Sequence, residues 1–103
     1  QAKVRAAVPA RLVGVSPDVA GQTFELFTET VIGRSAGNEI QIASSSLSRA
    51  HVRVLFVGDR YVLQDLGSTN GVLVNGARVN SAELAPGDLV RIGDVELRFE
   101  LAS

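Results

Sequence analysis

Val95, Leu97, Phe99 and Leu101 alternate with Glu96, Arg98 and Glu100. That period of two predicts a strand with one buried and one wet face. Upstream, "HVRVLFV" (51–57) is mostly apolar, which predicts a central strand, and Gly58-Asp59 turns it into "RYVLQDL" (60–66). "GVLVN" (71–75) turns at Asn75-Gly76 into "ARVN" (77–80), and "DLVRI" (88–92) turns at Gly93-Asp94 into the last strand. "ARLVGV" (10–15), "QTFELF" (22–27), "ETVIGR" (29–34) and "EIQIA" (39–43) complete the set. The best helical rival, "ELFTETVIGR", carries Thr28, Thr30, Val31 and Ile32, which favour strand. "NSAELAPG" (80–87) has room for one helical turn before Pro86-Gly87 stops it. About ten strands, with turn signals at roughly 8–12-residue spacing, predict an all-β antiparallel sandwich or barrel.

Composition narrows the class. The 103 residues fit one domain, and 46% hydrophobic with 20% charged residues is ordinary for a soluble globular chain. There is no apolar run of roughly 18 residues to span a membrane, and no basic segment leading into an apolar one. Zero cysteines exclude disulfide frameworks and cysteine-ligated metals, so an intracellular, cytoplasmic protein is expected, with no cofactor and no metal. A net charge of −1 and five aromatic residues without basic interleaving disfavour nucleic-acid and anionic-membrane partners. The chain starts at Gln1 and contains no methionine, from which a piece excised from a larger protein is expected. Residues 1–9 are expected to be a flexible lead-in, and 10–103 a single domain.

Polar residues away from wet strand faces gather in three loops. The first is Gly33-Arg34 with "SAGN" (35–38); the second is "SSSLSRAH" (44–51); the third is "DLGSTNG" (65–71). Asn70-Gly71 alone is a two-residue hairpin signal, and a plain hairpin has no need of Gly67, Ser68 and Thr69 in front of it. Each loop taken singly has an ordinary explanation. Arg34 suits a solvated strand end, serines suit turns, and a lone histidine is more often structural than a ligand. Together they offer an arginine fork, hydroxyls, loop N–H groups and a carboxamide, a donor set matched to a dianionic oxygen cluster. Glu39 and Asp65 are too few to cancel it.

In this order and spacing, "IGRSAGNEIQI", "SLSRAH", "YVLQDLGSTNGVLVNGARV", "LAPGDLVRIG" and "VELRF" resemble the forkhead-associated (FHA) domain, a phosphothreonine-peptide-binding β-sandwich. The resemblance runs from about Thr30 to Phe99. It implies eleven strands with the binding loops at one end. It also implies direct phosphate contact by Arg34 and Ser48, and a second phosphate-proximal position at Arg49. Thr69 would line the phosphothreonine pocket, and Asn70 would hold the peptide main chain. Gly33, His51, Gly67, Ser68 and Gly71 would shape the loops. The partner implied is a phosphothreonine-containing protein or peptide in Ser/Thr-kinase signalling, bound in trans or within the same host protein, with no small-molecule substrate. Some members read an acidic side chain with a basic residue shortly before the motif serine. Here that approach is the uncharged Ser44-Ser45-Ser46-Leu47, and an exposed Leu47 would favour an apolar neighbour.

Two rivals remain. An FHA-like module can serve phosphate-independent association, because fold does not fix function. A hydrolase triad of Ser48, His51 and Asp65 or Asp88 has the right residue types, but no recognisable oxyanion loop accompanies the single histidine. No enzymatic activity is expected.

Overall fold

The structure, a computed structural model, describes residues 3–102. Eleven strands follow in order: β1 (Ala10–Gly14), β2 (Thr23–Glu25), β3 (Glu29–Gly33), β4 (Ile40–Gln41), β5 (Val52–Val57), β6 (Arg60–Asp65), β7 (Val72–Val74), β8 (Ala77–Arg78), β9 (Ser81–Glu83), β10 (Leu89–Ile92) and β11 (Val95–Leu101). There is no helix among the described residues. One sheet has the order β2-β1-β11-β10-β7-β8 and the other β4-β3-β5-β6-β9. All pairings are antiparallel except β3 with β4.

The apolar run 52–57 lies at the centre of the five-stranded sheet, between β3 and β6, as its composition predicts. In β11, Val95, Leu97 and Phe99 are buried and the charged residues between them half-exposed, but the alternation ends at Leu101, which is exposed. The inward faces of the two sheets meet through Leu12, Ile32, Val54, Leu63, Val90 and Leu97, all 0–1% exposed. Each such side chain contributes on the order of 1.5–3 kcal/mol by leaving water. Tyr61 is stacked obliquely between Phe56 and Phe99, with ring centroids 4.8 and 5.4 Å away.

The chain departs from its sequence-based expectation at three places. Residues 81–83 form β9 instead of a helical turn, in register with Val62–Gln64, and the Leu84 N–H continues toward the Tyr61 carbonyl at 2.8 Å. Ladder bonds to the open edge of β6, which fall on alternate residues of the antiparallel pair, outweigh one helical turn, whose nucleation fixes several dihedrals for a single hydrogen bond. Asn70-Gly71 is not a hairpin, because β6 and β7 belong to different sheets and residues 66–71 cross between them. In this crossing Gly67 (φ 73°) and Gly71 (φ 75°) take the left-handed conformation, whereas Asn70 does not. Asn75-Gly76, by contrast, has φ of 51° and 85° and turns β7 into β8 as a two-residue hairpin.

The third concerns the lead-in. Residues 1 and 2 lie outside the described residues, but the rest of the segment is held at several points. Thr28 N–H donates to the Val4 carbonyl at 2.7 Å, Tyr61 O–H to the Val8 carbonyl at 2.6 Å, and Ala6 is buried.

Candidate functional site

The loops after β3, before β5 and after β6 are tied to one another by backbone hydrogen bonds. Arg34 N–H donates to the Ser48 carbonyl at 3.0 Å and Ser35 N–H to the Arg49 carbonyl at 3.1 Å. Gly33 makes this approach possible by packing and not by φ. A Cβ built there would lie 2.2 Å from the Arg49 carbonyl oxygen and 2.9 Å from the Asn38 Nδ2. The same Asn38 Nδ2 donates to the Arg49 carbonyl at 2.6 Å.

His51 links the second and third loops. It is fully buried; its Nδ1 accepts the Ser48 N–H at 3.1 Å, so its ring proton sits on Nε2 and is donated to the Gly71 carbonyl at 2.8 Å. Both ring nitrogens are therefore occupied by backbone groups, and no Ser48–His51–carboxylate triad forms. Asp65 Oδ1 accepts the Ser68 N–H at 3.0 Å, and Ser68 Oγ accepts the Gly71 N–H at 3.0 Å, which fixes the curvature of the third loop. Asp88 is bound to Ala85 N–H and the Asn75 carboxamide.

Within this frame the five candidate binding residues converge. Arg34, Ser48, Arg49, Thr69 and Asn70 all line one cleft of about 310 Å³, which residues 45–47 complete. Arg34 is held by Nε, which donates to the Leu47 carbonyl at 3.1 Å, leaving both Nη groups of its fork without a partner among the described residues. Ser48 Oγ accepts the Thr69 N–H at 3.2 Å, which leaves its hydroxyl proton free to donate. Asn70 Nδ2 donates to the Ser46 carbonyl at 2.7 Å, leaving its Oδ1 as a free acceptor. Neither Arg34 nor Arg49 has a carboxylate within ion-pair distance among the described residues. Glu39 is engaged instead by the Val31 N–H at 2.7 Å.

A slightly larger cleft of about 340 Å³ lies beside β1 and β2, but its charged side chains are already matched, Arg5 with Glu25 and Arg11 with Glu100. It offers no converging unpaired donors, so chemistry outweighs size here.

An FHA domain family model matches residues 30–93, more than half of the chain. The chain belongs to the FHA domain family. It is 36% identical over 81 residues to the FHA domain-containing protein FhaA of Mycobacterium tuberculosis, covering 78% of this chain and 15% of that protein. It is 41% identical over 75 residues to the transcriptional regulatory protein EmbR of the same organism, covering 72% of this chain and 19% of that one. The chain thus spans less than a fifth of the length of these relatives. Among solved structures, a domain studied for phosphothreonine-dependent FHA domain interactions superposes with a TM-score of 0.84 at 31% identity, covering 92% of this chain and 98% of that one. EmbR in complex with a low-affinity phosphopeptide gives 0.85 at 32% identity, covering 96% of this chain and 27% of that one.

Three contributors to this FHA site have roles that their residue types did not predict. Asn38 locks the Arg49 carbonyl, Ser46 receives Asn70, and Leu47 anchors Arg34 through its carbonyl. Leu47 is 2% exposed, so it is a core residue and presents no apolar surface to a ligand. Backbone carbonyls leave no trace in residue identity. Asn38, a carboxamide beside Gly37 in a loop already singled out, was the one available signal.

Proposed function

We propose that this domain reversibly binds phosphothreonine-containing peptides or proteins, recruiting them in Ser/Thr-kinase signalling, and performs no chemistry on them. The observation that carries this reading is the half-used donor set of the cleft. The Arg34 fork is oriented through Nε with both Nη groups free, and the Ser48 hydroxyl is oriented through its oxygen with its proton free. The Arg34 and Ser48 donors are thus positioned before an anion arrives, and the cost of ordering these two is met in folding.

Arg34 and Ser48 contact the phosphate, with Arg49 as the second cation beside it. The phosphate carries about −1.5 to −2 charge near neutral pH. Charge-assisted bonds to it are roughly twice as strong as neutral ones. Thr69 flanks the phosphothreonine, and Asn70 receives the peptide main chain through its free Oδ1. Burial of the threonine methyl gives only about 0.8 kcal/mol of preference over phosphoserine. Gly33, His51, Gly67, Ser68 and Gly71 hold the loops in place without touching the ligand. The phosphothreonine-dependent interactions and phosphopeptide complex described for the similar domains support this reading.

We place the module in a cytoplasmic host protein, with residues 10–103 as one domain and the ligand in trans or on the host itself. Passing a degenerate phosphothreonine peptide library over the domain, with Arg34→Ala as control, tests the reading. Wild type enriches a phosphopeptide set that Arg34→Ala does not. Equal retention by both proteins, or of unphosphorylated peptides, points instead to phosphate-independent association.

A further inference from the structure

Asn70, on the cleft wall, is joined to a fourth loop that lies outside the cleft lining. Asn70 Nδ2 donates to the Ser46 carbonyl at 2.7 Å, and the other side of Ser46 carries the turn between β10 and β11. There the Asp94 N–H donates to Ser46 Oγ at 2.9 Å. Gly93 (φ 57°) lies so close that a Cβ would sit 2.5 Å from that oxygen and 2.6 Å from the Ser46 carbonyl oxygen. Ser46 is therefore a one-residue bridge between the peptide-facing amide and the Gly93-Asp94 turn.

Asp94 is exposed, and its carboxylate makes no hydrogen bond or ion pair among the described residues. Glu39 and Asp65, the carboxylates of the neighbouring loops, are both occupied by backbone N–H groups. The cleft wall between, Ser45 and Ser46, bears no charge. Arg91, on the strand leading into the turn, stands in register with Glu96 and forms no ion pair with Asp94. Beside the cleft that holds the Arg34 and Arg49 cations, and joined to it through Ser46, there is thus a free carboxylate.

We propose that Asp94 is a specificity-determining residue that favours a lysine or arginine, and disfavours an aspartate or glutamate, on the flank of the phosphothreonine lying over Asn70. This rests on the phosphopeptide reading above and adds the chemical class of the neighbouring side chain. It reverses the polarity of the acidic-selective sites that some family members build with a basic residue before the motif serine. Asp94 touches Ser46 through its backbone N–H, so a change of side chain leaves that contact in place. The contact with the peptide is exposed to water, so the expected effect is that of a surface ion pair, about two- to fivefold in affinity.

The test is fluorescence anisotropy with phosphothreonine peptides carrying Lys, Ala or Glu at each of three positions on either side. Wild type, Asp94→Asn and Asp94→Lys are compared. At one flanking position, wild type binds the Lys peptide about two- to fivefold more tightly than the Glu peptide. Asp94→Asn brings that ratio close to one and Asp94→Lys inverts it; the Ala peptide, which reports only the general effect of the altered charge on the phosphate, is the reference for each protein. A Lys/Glu ratio unchanged by either substitution overturns the proposal, as does an effect of equal size at every position, which marks net peptide charge alone. Absence of any phosphate-dependent binding overturns the reading beneath it, and that outcome is distinct from binding without charge preference.

Discussion

Replacing His51 with leucine isolates what holds the binding loops in place. Leucine approximates the imidazole in bulk, so little cavity opens and the lost hydrogen bonds dominate. Two backbone groups lose their partner: the Gly71 carbonyl, in a fully buried residue, and the Ser48 N–H, in a half-buried one. An unsatisfied buried acceptor costs about 1–3 kcal/mol, and a partly wet donor that loses an ordinary bond about 0.5–1.5 kcal/mol. The sum is about 1.5–4.5 kcal/mol, a large share of the ~5–15 kcal/mol that holds a typical domain folded. With a urea m-value of about 1.5 kcal/mol/M, the midpoint falls by roughly 1–3 M. The Ser48 amide also loses protection from hydrogen exchange, and phosphopeptide affinity drops even in conditions where the variant is folded. A destabilisation below about 0.5 kcal/mol with unchanged Ser48 protection would refute the assignment of His51 as the clamp between the two loops.

Gly33→Ala puts a methyl group against the Arg49 carbonyl at 2.2 Å, a backbone atom that cannot swing away. A loss of about 1–3 kcal/mol in denaturant titration, accompanied by weaker peptide binding, is expected. Tyr61, the one tyrosine, has its pKa raised above 10.0 by burial. Since the folded value exceeds the unfolded one, its contribution to stability is complete below about pH 10 and is lost as pH rises through the folded value. The midpoint of the tyrosinate absorbance should therefore lie above that of the unfolded chain; an ordinary midpoint in the folded protein contradicts it.

The strands were legible because burial on one or both faces imposes its period on the residues. β11 and β5 can be read almost residue by residue. β9 was hidden, because Ser81, Ala82 and Glu83 have no strand pattern of their own and pair only because the edge of β6 is there to receive them. Asn70-Gly71 misled for a related reason: the same dipeptide turns a hairpin at 75–76 and shapes a crossing at 70–71, and the sheet assignment decides which. At the site, the side-chain donors Arg34, Ser48 and Asn70 were visible as residue types in three motifs. What fixes their direction was not. Arg34 is aimed by the carbonyl of a buried leucine, Ser48 by the N–H of Thr69, and Asn70 by the carbonyl of Ser46. These are backbone groups whose positions exist only once the loops have met.

We propose the cleft at Arg34 and Ser48 as the receptor for the phosphate of phosphothreonine. The decisive experiment is isothermal titration of one peptide, in phosphorylated and unphosphorylated form, against wild type and Arg34→Ala. Removing one partner of such a charged contact costs on the order of 2–5 kcal/mol. Wild type is expected to bind the phosphorylated form alone, and Arg34→Ala to lose that binding by roughly this amount while remaining folded. Equal binding of the two peptide forms, or equal affinity of the two proteins for the phosphopeptide, would contradict it.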